Sequence, residues 1–111
     1  MDAIDQYRAL IVRVFREWET LPRIPSDWFI EGVEDRLRDR YVLLHVDTND
    51  GRHKSRTLAH VEIRDGKIWV LTDNTEEGIA TELVAAGVSK DRIVLGFYPP
   101  ALREMGEFAV S

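Results

Sequence analysis

Apolar side chains recur at three- and four-residue spacing over the first twenty positions, where Ile4, Tyr7, Leu10, Ile11, Val14, Phe15 and Trp18 fall on one face. That period predicts an amphipathic helix from Asp2 to about Thr20. Its stripe reads as core, and the other reading of Tyr7, Phe15 and Trp18 is a docking face for another chain. Pro22 and Pro25 are expected to stop the helix and impose an extended segment, since the ring removes a donor and restricts the residue before it.

The middle of the chain changes period. Trp28 to Asp35 fits neither period well, and Arg36 to Arg40 would even extend a charged helix. Tyr41 to Val46 is apolar on both faces apart from His45, so it predicts a central strand. Asn49-Asp50-Gly51 predicts a hairpin turn, and Leu58, Ala59, Val61 and Ile63 supply the apolar part of the returning strand. Asp65-Gly66 predicts a second, two-residue turn, because Gly takes positive φ freely and Asp tolerates it. Ile68-Trp69-Val70 then begins another strand, which completes an antiparallel meander.

Helical spacing returns with Ile79, Ala80, Leu83, Val84 and Ala86. Asn74 or Thr75 is expected to cap this helix, with Glu76 and Glu77 in its first turn and Gly87 ending it in the left-handed region. With Asn74 as cap, Glu77 stands where a capping box places it. Ile93-Val94-Leu95 predicts a short strand. Ala101 to Met105 predicts one helical turn with Pro100 near its first position. The apolar Phe108-Ala109-Val110 either packs on its own domain or inserts into a neighbour. The fold class is therefore α+β: an N-terminal helix, a meander, a second helix packed on it and a closing strand.

Length and composition narrow the function classes. A chain of 111 residues makes one domain, and with no cysteine it has no disulfide, thiolate nucleophile or cysteine zinc site. No leader pattern opens it and no apolar run approaches a membrane span, so the expectation is a cytoplasmic protein without a membrane partner. A net charge of −5 argues against gripping DNA over the whole surface. The charge is uneven, though: Arg36 to Arg56 holds six basic residues against three acidic ones. That stretch is either a solvated hairpin end or a contact for DNA or an acidic partner.

Several stretches resemble one family in particular. Asp65-Gly66-Lys67-Ile68-Trp69, Thr75-Glu76-Glu77-Gly78-Ile79-Ala80, Glu82-Leu83-Val84, Ala86-Gly87-Val88 and Ile93-Val94-Leu95-Gly96-Phe97 are similar to the XisI family, the fdxN-element excision controlling factors of filamentous cyanobacteria. Asp2, Gln6 and Tyr7, the Asp35, Arg38, Asp39 and Tyr41 turn, and Phe108-Ala109-Val110 extend the likeness to nearly the whole chain. The resemblance implies a strand and tight charged turn over the ambiguous stretch. It also implies a non-catalytic accessory role with an XisH-like, nuclease-fold partner in programmed excision of a DNA element, with a site-specific recombinase and DNA involved only indirectly. Regulation or inhibition of an XisH-like nuclease apart from excision is the alternative. Where the family usually has His-Asp-Gly-Thr this chain has Thr72-Asp73-Asn74-Thr75, and where it commonly has a late histidine this chain has Tyr98. Both departures remove an imidazole.

The candidate chemistry is sparse. His45, His53 and His60 flank the meander but are poorly spaced for a shared metal. Asp73, Glu76 and Glu77 read first as helix-start carboxylates, and a metal-dependent hydrolase on His45, His60 and Asp73 is the enzymatic reading set against this. No phosphate loop, dinucleotide turn, nucleophile elbow or zincin motif occurs, so no cofactor, metal or catalytic residue is expected. The expected partner surface is Arg52, Lys54 and Arg56 together with Trp69 and Asp73. Homo-oligomerisation is also expected, because the edges of a small open sheet need covering.

Overall fold

The computed structural model describes residues 2–21 and 27–111, and the expected proline stop at Pro22 and Pro25 lies outside them. Helix α1 runs Ala3–Glu19, with the Asp2 carboxylate accepting the Asp5 N–H at 2.9 Å as its cap. Strands β1 (Trp28–Asp35), β2 (Arg40–Asp47), β3 (Lys54–Arg64) and β4 (Lys67–Asp73) follow as an antiparallel meander. Helix α2 (Ile79–Ala85) then returns the chain to β5 (Ile93–Leu95), which pairs parallel to β4 at the edge of a five-stranded sheet. One short helix, α3 (Pro100–Arg103), has Pro100 at its start.

Residues opposite each other in register share a face of the sheet. The row Glu34, Tyr41, Val61, Val70 and Leu95 therefore lies on one side, with Tyr41, Val61 and Val70 fully buried. Ile11, Val14 and Phe15 from α1 and Ile79, Ala80 and Leu83 from α2 join them in one core. The docking reading of the α1 stripe gives way for Phe15, which is buried in that core. At Gly32 a Cβ would lie 3.4 Å from the Phe15 Cβ, so this position lets α1 seat closely on β1. The edge strand buries Ile30 alone and exposes Glu31, Val33 and Glu34, so Trp28–Asp35 shows neither period.

The two Asp-Gly sites differ. Asp65 (φ 50°) and Gly66 (φ 76°) join Arg64 directly to Lys67, a two-residue turn with both positions left-handed. Asp50 (φ 58°) and Gly51 (φ 69°) take the same conformation inside a longer loop, since the paired strands end at Asp47 and Lys54. Thr48 explains the extra length: its N–H and its hydroxyl both donate to the Asp27 carbonyl, at 2.7 and 2.8 Å.

The start of α2 corrects the sequence reading. Asn74 does not cap it, the Thr75 hydroxyl takes only the N–H of the residue before the helix, Gly78 (3.1 Å), no capping box forms, and Glu76 and Glu77 lie exposed in the preceding loop. Gly78, at φ 95°, occupies the cap position, and the capping carboxylate is Asp73, six residues before the amide it takes. Gly87 ends the helix at φ 118°, as expected, with the Val88 N–H returning to the Leu83 carbonyl. The tail packs on its own domain: the Ala109 N–H donates to the Ile93 carbonyl at 2.9 Å, and Phe108 packs against the core.

Candidate functional site

The residues expected to form one partner surface fall in three places. Arg52 and Lys54 line a depression of about 490 Å³ with Asp47, Asn49 and Asp50 at the β2–β3 loop. Arg56 sits opposite His45, and His45 sits opposite the buried Ile30. Asp73 continues the row Gly32, Leu43 and Ala59 on the helix side of the sheet. Trp69 belongs to the row Asp35, Arg40, Glu62, Trp69 and Val94, on the opposite side. The six basic residues counted from Arg36 to Arg56 also separate. Arg36, Arg38 and Arg40 stand at one end of β2 and Arg52, Lys54 and Arg56 at the other, about 23 Å apart for an eight-residue strand.

Asp73 is an organising group. One carboxylate oxygen accepts the Thr75 N–H (3.0 Å) and Thr75 hydroxyl (2.6 Å), and the other accepts the Ile79 N–H (2.7 Å). The histidines are likewise dispersed. His45 stacks on Trp28 with ring centroids 5.2 Å apart, His53 lies 6.3 Å from Phe29, and His60 Nε2 is 3.5 Å from Glu62. Register puts His45 on the side of Ile30, and His60 on the side of Val42 and Val33, so the two face away from each other. Among the described residues no three His, Cys, Asp or Glu side chains gather as a metal set.

Two ionic networks stand out, and sequence reasoning assembled neither. In the first, Arg8 of α1 grips Asp39 with Nε (2.7 Å) and Nη2 (3.0 Å) while its Nη1 reaches Asp5 (2.7 Å). The Tyr41 hydroxyl donates to the same Asp39 at 3.2 Å. Arg8 holds the Asp39 carboxyl below the usual range, and burial first, then the Asp39 charge, pushes the Tyr41 phenol up to about 12. Asp39 itself sits at φ 53°, so the pairing also fixes a left-handed turn residue. In the second, Glu62 is 8 % exposed on the outer face and pairs with Arg40 (3.2 Å) and Arg64 (2.6 Å). Burial alone would raise its carboxyl, but the Arg64 hydrogen bond and the Arg40 charge outweigh it and hold it low. Beside it, the Arg64 and Arg103 guanidinium carbons lie 4.8 and 5.3 Å from the Trp69 ring centroid. The pairing Arg40–Glu62 follows from register alone, whereas Arg103 over Trp69 depends on how the C-terminal segment folds back.

The turn that holds Asp35, Arg38, Asp39 and Tyr41 is thus the anchor of α1, and it is one of the stretches that carry the family likeness. A family model described as XisI protein matches residues 1–110. The chain belongs to the XisI family. Solved XisI relatives have the same fold. A XisI-like protein from Anabaena variabilis ATCC 29413 is 26 % identical, with a TM-score of 0.84 over 99 % of this chain and 100 % of that one. The fdxN element excision controlling factor XisI from the same organism is 28 % identical, with a TM-score of 0.79 over the same shares. No curated protein matches significantly. The α+β architecture expected from the sequence is therefore the XisI fold, and no helix among the described residues is long and apolar enough to cross a membrane.

Proposed function

We propose that this chain is a non-catalytic excision controlling factor. It acts in the cytoplasm with an XisH-like, nuclease-fold partner to assist a site-specific recombinase in removing a DNA element. The observation that carries the reading is the XisI match over residues 1–110, together with the 28 % identity to a solved excision controlling factor. The use of the ionisable groups supports a non-catalytic role. Asp73 is spent on capping α2, Asp39 on holding Arg8, and Glu62 on holding two arginines. A catalytic carboxylate needs free reach to a substrate proton, and these three are engaged.

Co-expression with the XisH-like protein encoded in the same genome tests the reading, with size-exclusion chromatography and light scattering as the readout. Co-elution at a defined stoichiometry is expected, and separate elution overturns it. A complex that alters nuclease activity in a host with no excisable element favours regulation of the nuclease instead.

A further inference from the structure

We infer that the outer face of the sheet, around Glu62 and Trp69, docks a carboxylate-bearing protein surface. Helices α1 and α2 pack on the other side, while on the outer face Val33, Arg40 and Arg64 stay substantially exposed. Arg40, Glu62 and Trp69 form one cross-strand row, and Arg64 and Lys67 form the next row on the same face. Two guanidinium groups here share a single carboxylate. Arg103 donates to the neutral carbonyls of Tyr98 (2.9 Å) and Val110 (3.3 Å). Three arginines, Arg40, Arg64 and Arg103, thus gather around the single carboxylate of Glu62 and the Trp69 ring on a protein whose net charge is −5. Asp35, opposite Arg40, adds nothing to the balance because it is paired with Arg38 at 2.7 Å. The side chains of Arg40 and Arg64 remain 60 % and 46 % exposed, so their outer N–H groups are accessible to a second carboxylate.

Three observations select protein over nucleic acid or a second copy. The Trp69 ring is already overlaid by Arg64 and Arg103, which takes away the bare aromatic platform on which bases stack. The next row, Val33, Val42 and His60, is largely apolar, and Val33 is 47 % exposed. An apolar strip beside arginines and a tryptophan is the composition of a protein interface rather than of a phosphate-binding surface. A two-fold pairing of this face with itself would set arginines against arginines, which is repulsive.

The surface can be tested apart from the excision reading, because the probe is a deca-glutamate peptide and not the XisH-like protein. The full chain, labelled with nitrogen-15, is titrated with the peptide at low salt, with deca-lysine and a short DNA duplex as comparators. Saturable shifts of the Trp69 indole resonance and the Arg40, Glu62 and Arg64 amides are expected, vanishing in about 0.5 M NaCl. Arg64→Gln combined with Arg103→Gln should weaken binding about tenfold or more, and Arg52→Gln combined with Lys54→Gln should not. Absence of saturable shifts, shifts centred on the Arg52 to Arg56 segment, or tighter binding of the duplex would overturn the inference. Mapping on the unmodified chain keeps the test decisive even if the Arg64 variant folds poorly.

Discussion

Replacing Asp73 with alanine separates a structural carboxylate from a recognition one. The side chain accepts three hydrogen bonds between 2.6 and 3.0 Å, and one of them satisfies the first amide of a seven-residue helix. Loss of a helix cap costs about 1 kcal/mol, and hydrogen bonds to a charged group contribute about 1.5–3 kcal/mol each where water cannot replace them. Asp73 is half-buried, so water recovers part of this and the three bonds are not additive. The expected loss is about 2–3 kcal/mol. Asp73→Asn keeps one acceptor oxygen and should lose about half as much. Urea unfolding at neutral pH is the assay: with a slope of roughly 1–2 kcal/mol/M for a small domain, the alanine midpoint should fall by about 1–2 M. An alanine midpoint within about 0.3 M of wild type would refute the capping account and return Asp73 to the candidate recognition residues.

The acid limb of stability should depend on Asp39. Its carboxyl is held low in the fold, so its contribution is present above its ordinary value near pH 4 and disappears as pH falls through the lowered one; in Asp39→Asn the gap between urea midpoints at pH 7 and pH 3 should narrow. An ultraviolet titration should find one tyrosine ionising near 12, and Asp39→Asn should lower that midpoint because it removes the neighbouring negative charge. At Gly96 an added Cβ would lie 2.7 Å from the Leu71 Cδ2, so Gly96→Ala should cost about 1–3 kcal/mol by overpacking, read from thermal unfolding. Glu62→Ala leaves Arg40 and Arg64 facing each other without their shared carboxylate, and should destabilise by about 1–2 kcal/mol at low salt and less at high salt.

Much of the architecture is written in local pattern. The α1 stripe, the Asp65-Gly66 turn and the Gly87 stop each depend on residues within a few positions of one another, and each stands where the period or the turn chemistry puts it. The start of α2 is different, because a cap is usually sought three residues before its amide and Asp73 reaches six. The partner surface is harder still. Charge along Arg36 to Arg56 is spread by the hairpin, whose strand separates the two basic groups by about 23 Å. Trp69 and Asp73 are four positions apart, which alternation would place on one face. The irregular register between His60 and Val61 shifts the alternation and sends them to opposite faces. Arg103 over Trp69 joins residues that no local period links.

The two ties of α1 set an order on synthesis. Arg8 holds Asp39, 31 positions later, and Trp18 donates its indole N–H to both oxygens of Glu82 at 3.0 Å, 64 positions later. Ribosomes add roughly 5–20 residues per second, so the apolar face of α1 waits several seconds for its last partner while the meander closes from neighbouring hairpins. Helix α1 is made before the meander yet receives its Glu82 tie only after the meander is complete. A truncation that removes α2 should therefore leave α1 held on β1 through Phe15 and Arg8 but loose at its Trp18 end.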